Sequence, residues 1–211
     1  MNLWFSCSLL VAGLFVSISA EASECQTVAP LPLASGSKML GRLNLIMGYV
    51  DSEEYRAIMK SLDSSWMNVS ASNNTDEVIM YEESKINGKC FSSSFRTAID
   101  GDTATSAVGN ITTVFHMLPS CEGCVVFSGN STNRNLEKYL DAVNLDSTNT
   151  REHFTTRVLY LMAREDTIKD SDLEDFKRLA SCLGFPGEPD FIHDTKKGFC
   201  EEGEGVKMMI S

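Results

Sequence analysis

From Gly41 onward the chain is a succession of short runs rich in β-branched, aromatic and alternating apolar residues, each stopped by a Ser/Asn/Gly/Asp turn. The first run is Gly41–Val50, and others follow near 61–70, 77–86, 89–99, 103–109, 111–118, 124–129 and 155–163. Turns fall at Asn73-Asn74, Asn87-Gly88 and Asp100-Gly101-Asp102. Asn87-Gly88 is the sharpest hairpin signal, because a type I′ turn needs positive φ at both central residues. Residues 51–59 read as a short helical turn and 136–143 as a weak helix. One strong helix comes late. Ser171 with Glu174 reads as a capping box, and Leu173, Phe176, Leu179, Ala180 and Leu183 make an apolar stripe. Gly184 stops it, with Pro186 just beyond.

Eight strands and one packed helix predict an all-β fold, an eight-stranded antiparallel up-and-down β-barrel with a C-terminal α-helix outside. A sandwich is the alternative, but sandwiches seldom need a late amphipathic helix. An eight-stranded barrel is just wide enough to hold one small ligand, so the architecture already points to binding.

The chain start changes where this barrel is expected to work. The apolar run from Leu3 to Val16, followed by small residues at Ser19-Ala20 and Ala22, reads as a signal peptide over residues 1–20, with cleavage after Ala20 or Ala22. The run is too short for a comfortable membrane span, and no second one follows. Removal leaves a single domain over 21–200 and an acidic tail at 201–211, expected to be disordered. Four N-glycosylation sequons, at Asn68, Asn73, Asn110 and Asn130, agree with a secreted protein. The net charge of −11 excludes nucleic acid and anionic membrane surfaces as natural partners.

Losing Cys7 with the signal leaves Cys25, Cys90, Cys121, Cys124, Cys182 and Cys200, an even set that reads as disulfides in a secreted chain. A redox Cys-x-x-Cys opens a helix, where the dipole lowers a thiol pKa. Cys121-Glu122-Gly123-Cys124 instead lies between strand-like segments and reads as a staple in a turn.

Several local motifs resemble the alpha-1-acid glycoprotein (orosomucoid) branch of the lipocalins. They are Cys25 with Pro30 and Pro32, Glu53-Glu54-Tyr55, Cys90 after the third strand, the run from Leu159 to Glu165, the helix end at Cys182-Leu183-Gly184, and Phe191-Ile192-His193 through to Cys200. The similarity runs over 25–200 and is marked toward the fish members, which include saxitoxin/tetrodotoxin-binding and tributyltin-binding proteins. It implies a lipocalin barrel without enzymatic activity, carrying small hydrophobic or amphiphilic molecules in blood plasma; a monomer without a cofactor is expected. It also implies the pairs Cys25–Cys182 and Cys90–Cys200, leaving Cys121–Cys124 as a local bridge. Two departures bear on specificity. The Gly-x-Trp of the first lipocalin strand is here Gly41-Arg42-Leu43, and the stretch 130–156 is long enough to place an extra helix over or beside the cavity mouth.

Strand alternation then gives a candidate inner wall. A glycan on Asn68 must point outward, so Met67 and Val69 point inward, while Trp66 belongs outside, beneath the helix or at a barrel edge. The resemblance makes Val78, Met80 and Glu82 an inner face, adds Phe115, Met117, Val126, Tyr160 and Met162, and puts Tyr55 at the mouth. Met67, Met80, Met117 and Met162 are flexible and polarisable, suited to moulding around varied ligands, and equally to filling a core. Glu82 is the one charged candidate. Buried, it needs a partner that a cationic ligand could supply; near the mouth it is simply solvated.

Catalysis finds little support. His116, His153 and His193 are scattered, with no nucleophile elbow, no zinc-ligand spacing and no metal site. The rival to a carrier is an acute-phase immunomodulatory glycoprotein acting through its surface and glycans, with its barrel filled by side chains.

Overall fold

A computed structural model describes residues 25, 28–33, 38–148 and 150–208. The expected signal peptide lies outside them. Eight long strands form the body: β1 (Gly41–Val50), β2 (Leu62–Ala71), β3 (Glu77–Ile86), β4 (Lys89–Asp100), β5 (Thr103–Val108), β6 (Ile111–Leu118), β7 (Cys124–Arg134) and β8 (His153–Ala163). Each pairs antiparallel with its chain neighbour, and β8 returns to β1, so the sheet closes. This is the expected up-and-down barrel. The Asn87-Gly88 hairpin has φ of 48° and 76°, the two positive values its turn type demands.

Three helices decorate the barrel: α1 (Glu53–Ser61), α2 (Glu137–Ala142) and α3 (Asp170–Cys182). The ladder of β1 with β2 and β8 puts Gly41, Ala71, Leu118, Cys124 and Ala163 at one end of the barrel. Val50, Leu62, Ile86, Ile111, Arg134 and His153 stand at the other. Both α1, between β1 and β2, and α2, between β7 and β8, therefore lie across this second end. Two short strands follow α3: β9 (Phe191–Ile192) against β1, and β10 (Val206–Lys207), parallel to β4.

β1 is buried on both faces because two cores meet at it. Leu43 and Leu45 face the barrel interior, where Leu33, Met39, Val69, Val78, Ala104 and Met117 also gather. Ile46 and Tyr49 face out and pack with Phe176 and Ala180 of α3. The apolar stripe of α3 does what its periodicity predicts. The capping box does not form: the N-cap is Lys169, Ser171 lies inside the helix, and no side chain caps the start.

The closed end is sealed without the aromatic of the usual Gly-x-Trp. Leu43, fully buried, occupies the equivalent inward position. Beneath it the Arg164 guanidinium donates to the carbonyls of Lys38, Leu40 and Arg42 at 3.1, 2.7 and 3.3 Å. Gly41 has φ +91°, a conformation that favours glycine, and a Cβ there would lie 3.0 Å from that guanidinium.

Three disulfides join Cys25–Cys182, Cys90–Cys200 and Cys121–Cys124, the pairing that the resemblance implies. One expectation needs correcting. Of the tail expected to be disordered, residues 201–208 run along the outer wall over β3 and β4. The Gly203 amide donates to Glu83 Oε1 at 2.8 Å, and the Met208 amide to the Ser92 carbonyl at 2.8 Å. A buried acidic side chain on β3 accounts for this, because it needs backbone donors that only the tail supplies. Residues 209–211 lie outside the described ones.

Candidate ligand-binding site

The barrel encloses a cavity of about 260 Å³ beneath α1 and α2, toward the small end of sites for small molecules. Period-2 alternation builds its wall, each strand contributing every second residue. Leu45, Met80, Phe95, Phe115, Phe127 and Met162 form an apolar floor. Phe115 and Phe127 meet edge to face with ring centroids 5.2 Å apart, a favourable quadrupole arrangement.

Above the floor the lining turns polar. Glu82 stands on β3 between Met67 of β2 and Ser93 of β4, with Ser84, opposite Ser65 of β2, one inward position higher. Both Ser65 and Ser84 hydroxyls donate to Glu82 Oε1, at 3.4 and 3.3 Å. Across the cavity Thr113 and Ser131 hydrogen-bond at 2.7 Å. No Lys, Arg or His among the described residues pairs with Glu82. Burial therefore raises its pKa above the ordinary carboxylate range, with the two serine bonds opposing only in part.

The roof is aromatic. α1 begins at Ser52, whose hydroxyl accepts from the Tyr55 amide, and so aims Tyr55, Ile58 and Met59 down into the barrel. The Tyr55 hydroxyl donates to Asn133 Oδ1 at 2.9 Å, and burial pushes its pKa up to about 12. Tyr139 of α2 and Tyr160 of β8 complete the set. Both phenols are raised, burial first and the Glu82 charge contributing. Arg151 fixes the two roof segments together by gripping both oxygens of Glu54, at 2.6 and 2.9 Å.

Most of the expected wall is brought together here. Tyr55, Met67, Met80, Glu82, Phe115, Tyr160 and Met162 all line the cavity. Val69 and Met117 point inward as well, but lie deeper in the packed floor with Leu33 and Leu43. Val126 is a correction. It packs on the outer face with Phe176 and Ala180 of α3, and its neighbours Val125 and Phe127 face in. The register decides this: Met117 stands opposite Phe127 on one face, and Leu118 opposite Val126 on the other. Trp66 is outside the barrel as expected. What covers it is not α3 but the segment after β9, with its indole donating to the Cys200 carbonyl at 2.8 Å and Arg42 stacked over the ring at 4.2 Å.

Ser65, Ser84, Ser93, Ser106, Thr113 and Ser131 were legible by the same parity. A search for apolar wall residues passes over them. Met208, which also lines the cavity, carries no such signal, since it lies four residues beyond Glu204 in an acidic tail.

A closed eight-stranded barrel with an internal cavity, a roof formed by the first connection and a helix packed outside is a known arrangement. The fold is that of the lipocalins. A solved siderocalin, Ex-FABP, described as functioning through dual ligand specificities, superposes with a TM-score of 0.54 at 12% identity, over 74% of this chain and 95% of that one. An odorant-binding protein, OBP1, gives 0.51 at 15%, covering 71% and 86%. The bovine lipocalin allergen Bos d 2 gives 0.50 at 16%, covering 72% and 89%. No protein-family model and no curated protein sequence matches the chain. At these identities the likeness speaks for the lipocalin fold alone.

Proposed function

We propose that the protein is a secreted, monomeric plasma carrier of the alpha-1-acid glycoprotein type, binding small hydrophobic or amphiphilic ligands in its barrel, with a preference for cations. One observation carries the reading: Glu82, a buried carboxyl in the cavity wall, has serine donors on one oxygen and no Lys, Arg or His paired with it among the described residues. A charge so placed is costly until something neutralises it. A ligand bearing an ammonium or guanidinium group on an apolar body would do so, with its body on the phenylalanine and methionine floor. The faces of Tyr55, Tyr139 and Tyr160 would add cation–π attraction. A cationic toxicant is one such molecule.

The surface is compatible with secretion. Asn73, Asn110 and Asn130 are exposed, and Asn68, half-buried, sits on the outer face of β2. No helix among the described residues is long and apolar enough to cross a membrane. An open cavity also favours the carrier over a glycoprotein acting only through its surface, which has no use for an unfilled barrel.

The test is a charge series on one apolar tail. N-phenyl-1-naphthylamine, a neutral fluorescent probe, is bound first and then displaced by decyltrimethylammonium, decanol and decyl sulfate. The ammonium should displace at the lowest concentration, about tenfold below the alcohol, as roughly 1.4 kcal/mol of net charge attraction gives, and the sulfate should be weakest. Equal potency, or a lead for the sulfate, removes the cation preference. No probe binding by a fully disulfide-bonded sample removes the carrier itself and returns the case to a surface-acting glycoprotein.

A further inference from the structure

The barrel wall has a weak seam, and the segment after Cys200 covers it. Two ladders of the barrel are short: β1 and β2 pair only over Gly41–Asn44, and β4 and β5 only over Thr97–Asp100 against Thr103–Ser106. Above Thr97 the two strands part, leaving residues 89–96 of β4 without β5 beside them. β10 takes part of the vacated edge, Val206 opposite Phe91 and Lys207 opposite Ser92. The next residue, Met208, turns inward, lines the cavity and packs with Ile86, Phe91 and Val143.

The attachment is built on one buried acid. Glu83 is 1% exposed on the outer wall of β3. Its Oε1 takes the Gly203 amide at 2.8 Å, the Gly205 amide at 3.4 Å and the Tyr81 hydroxyl. Its Oε2 is buried with no partner among the described residues. Gly205 passes so close to β4 that a Cβ there would lie 2.6 Å from the Phe91 carbonyl carbon and 2.7 Å from the Ser92 nitrogen. Beyond this point the hold is slight. Val206 is 69% exposed, and β10 is only two residues long. Upstream, Cys90–Cys200 ties the same segment covalently to β4. The roof over the axial mouth is better secured, by the two-pronged Glu54–Arg151 pair and the Tyr55–Asn133 bond.

We propose that residues 201–208 form the entry gate of the cavity, a flap hinged at the Cys90–Cys200 disulfide, latched by Glu83 and presenting Met208 to the ligand. Molecules enter and leave through the β4–β5 seam when the latch opens, and not through the axial mouth under α1 and α2. The proposal rests on the carrier reading in that it needs a ligand to pass.

Two variants loosen the flap without touching the cavity wall. Glu83→Ala removes the acceptor for the tail amides, and Gly205→Ala wedges the segment off β4. Stopped-flow mixing with N-phenyl-1-naphthylamine reads association and dissociation rates in each. Both rates should rise about tenfold, the factor that follows from losing one hydrogen bond to a charged group, while Kd stays nearly constant because a gate changes the path and not the end states. Unchanged rates in variants with wild-type circular dichroism overturn the gate. So does a weaker Kd at an unchanged association rate, which makes the segment a fixed wall. Hydrogen exchange gives a readout without any ligand. The Met208 amide should exchange far faster than the β3–β4 ladder amides in the wild-type protein, and equal protection overturns the gate. Absence of probe binding by the wild-type protein overturns the carrier reading instead, and exchange at Met208 still decides whether the flap opens.

Discussion

Replacing Glu82 by Gln keeps the shape of the site and removes only its capacity for charge. A cation held about 4 Å from the carboxylate gains about 4 kcal/mol at the effective dielectric of a partly buried site. Part of that is spent on ionising a carboxyl whose pKa burial has raised, and on stripping water from the ligand. The net loss on substitution should be about 1.5–3 kcal/mol, the part of that attraction left after these costs, so Kd for decyltrimethylammonium should rise roughly 10- to 100-fold. Decanol should bind the variant as well as the wild type.

The pH dependence has a definite sign. Burial raises Glu82 in the folded protein, so the unfolded chain releases this proton at lower pH than the folded one. Stability of the ligand-free protein then falls as pH climbs from the ordinary carboxylate range through the raised folded value, and levels off above it. Glu82→Gln removes that decline. The variant should be more stable than wild type at neutral pH by urea denaturation, with the difference closing in acid. Cation affinity of the wild type should rise over the same interval, as the carboxylate forms. Titration calorimetry across pH measures it. An equal loss of ammonium and alcohol binding in the variant, or a pH-independent affinity in the wild type, refutes the counter-charge argument.

Other substitutions test the scaffold. Gly129→Ala places a Cβ 2.7 Å from the Val114 carbonyl oxygen and 2.8 Å from the Phe115 Cβ, so the β6–β7 pair must shift, at a cost of about 2 kcal/mol or more in urea unfolding. Leu43→Ala empties the fully buried plug of the closed end and should cost about 3 kcal/mol, lowering the thermal midpoint while the probe still binds above. Tyr55→Phe leaves Asn133 Oδ1, which is fully buried, without its phenol donor, for a loss of about 1 kcal/mol read by the same denaturation. Trp66 lies outside the barrel against Cys200, so ligand saturation should leave its emission unmoved, and a large shift on binding would contradict this placement.

Much of this was readable in the residues because barrels are built on a period of two. Strand limits follow from alternation and turn chemistry, and the Asn87-Gly88 turn could hardly be anything else. The same rule turns Met67 and Val69 inward and puts Met80 and Glu82 on one face, which the resemblance makes the inner one. It fails at Val126, where a strand buried on both faces, one toward the cavity and one under α3, offers no polar side to set the phase. Lys169 rather than Ser171 starts α3 because the chain leaves β8 through a short connection whose geometry the capping pattern does not encode. Met208 was hidden for another reason. Its place depends on Glu83, next to Glu82 but on the opposite face of β3, and a carboxylate facing outward looks like ordinary surface until a distant segment is seen lying on it.

None of the three disulfides joins one barrel strand to another. Cys25–Cys182 ties the leading segment to α3, Cys90–Cys200 ties the trailing segment to β4, and Cys121–Cys124 closes a turn. Disulfide formation thus welds the appendages while leaving every strand-to-strand joint of the barrel to hydrogen bonds. Such a barrel can widen without straining a covalent bond and still keep its outer segments attached. Reducing agents should accordingly release these outer segments before they open the barrel.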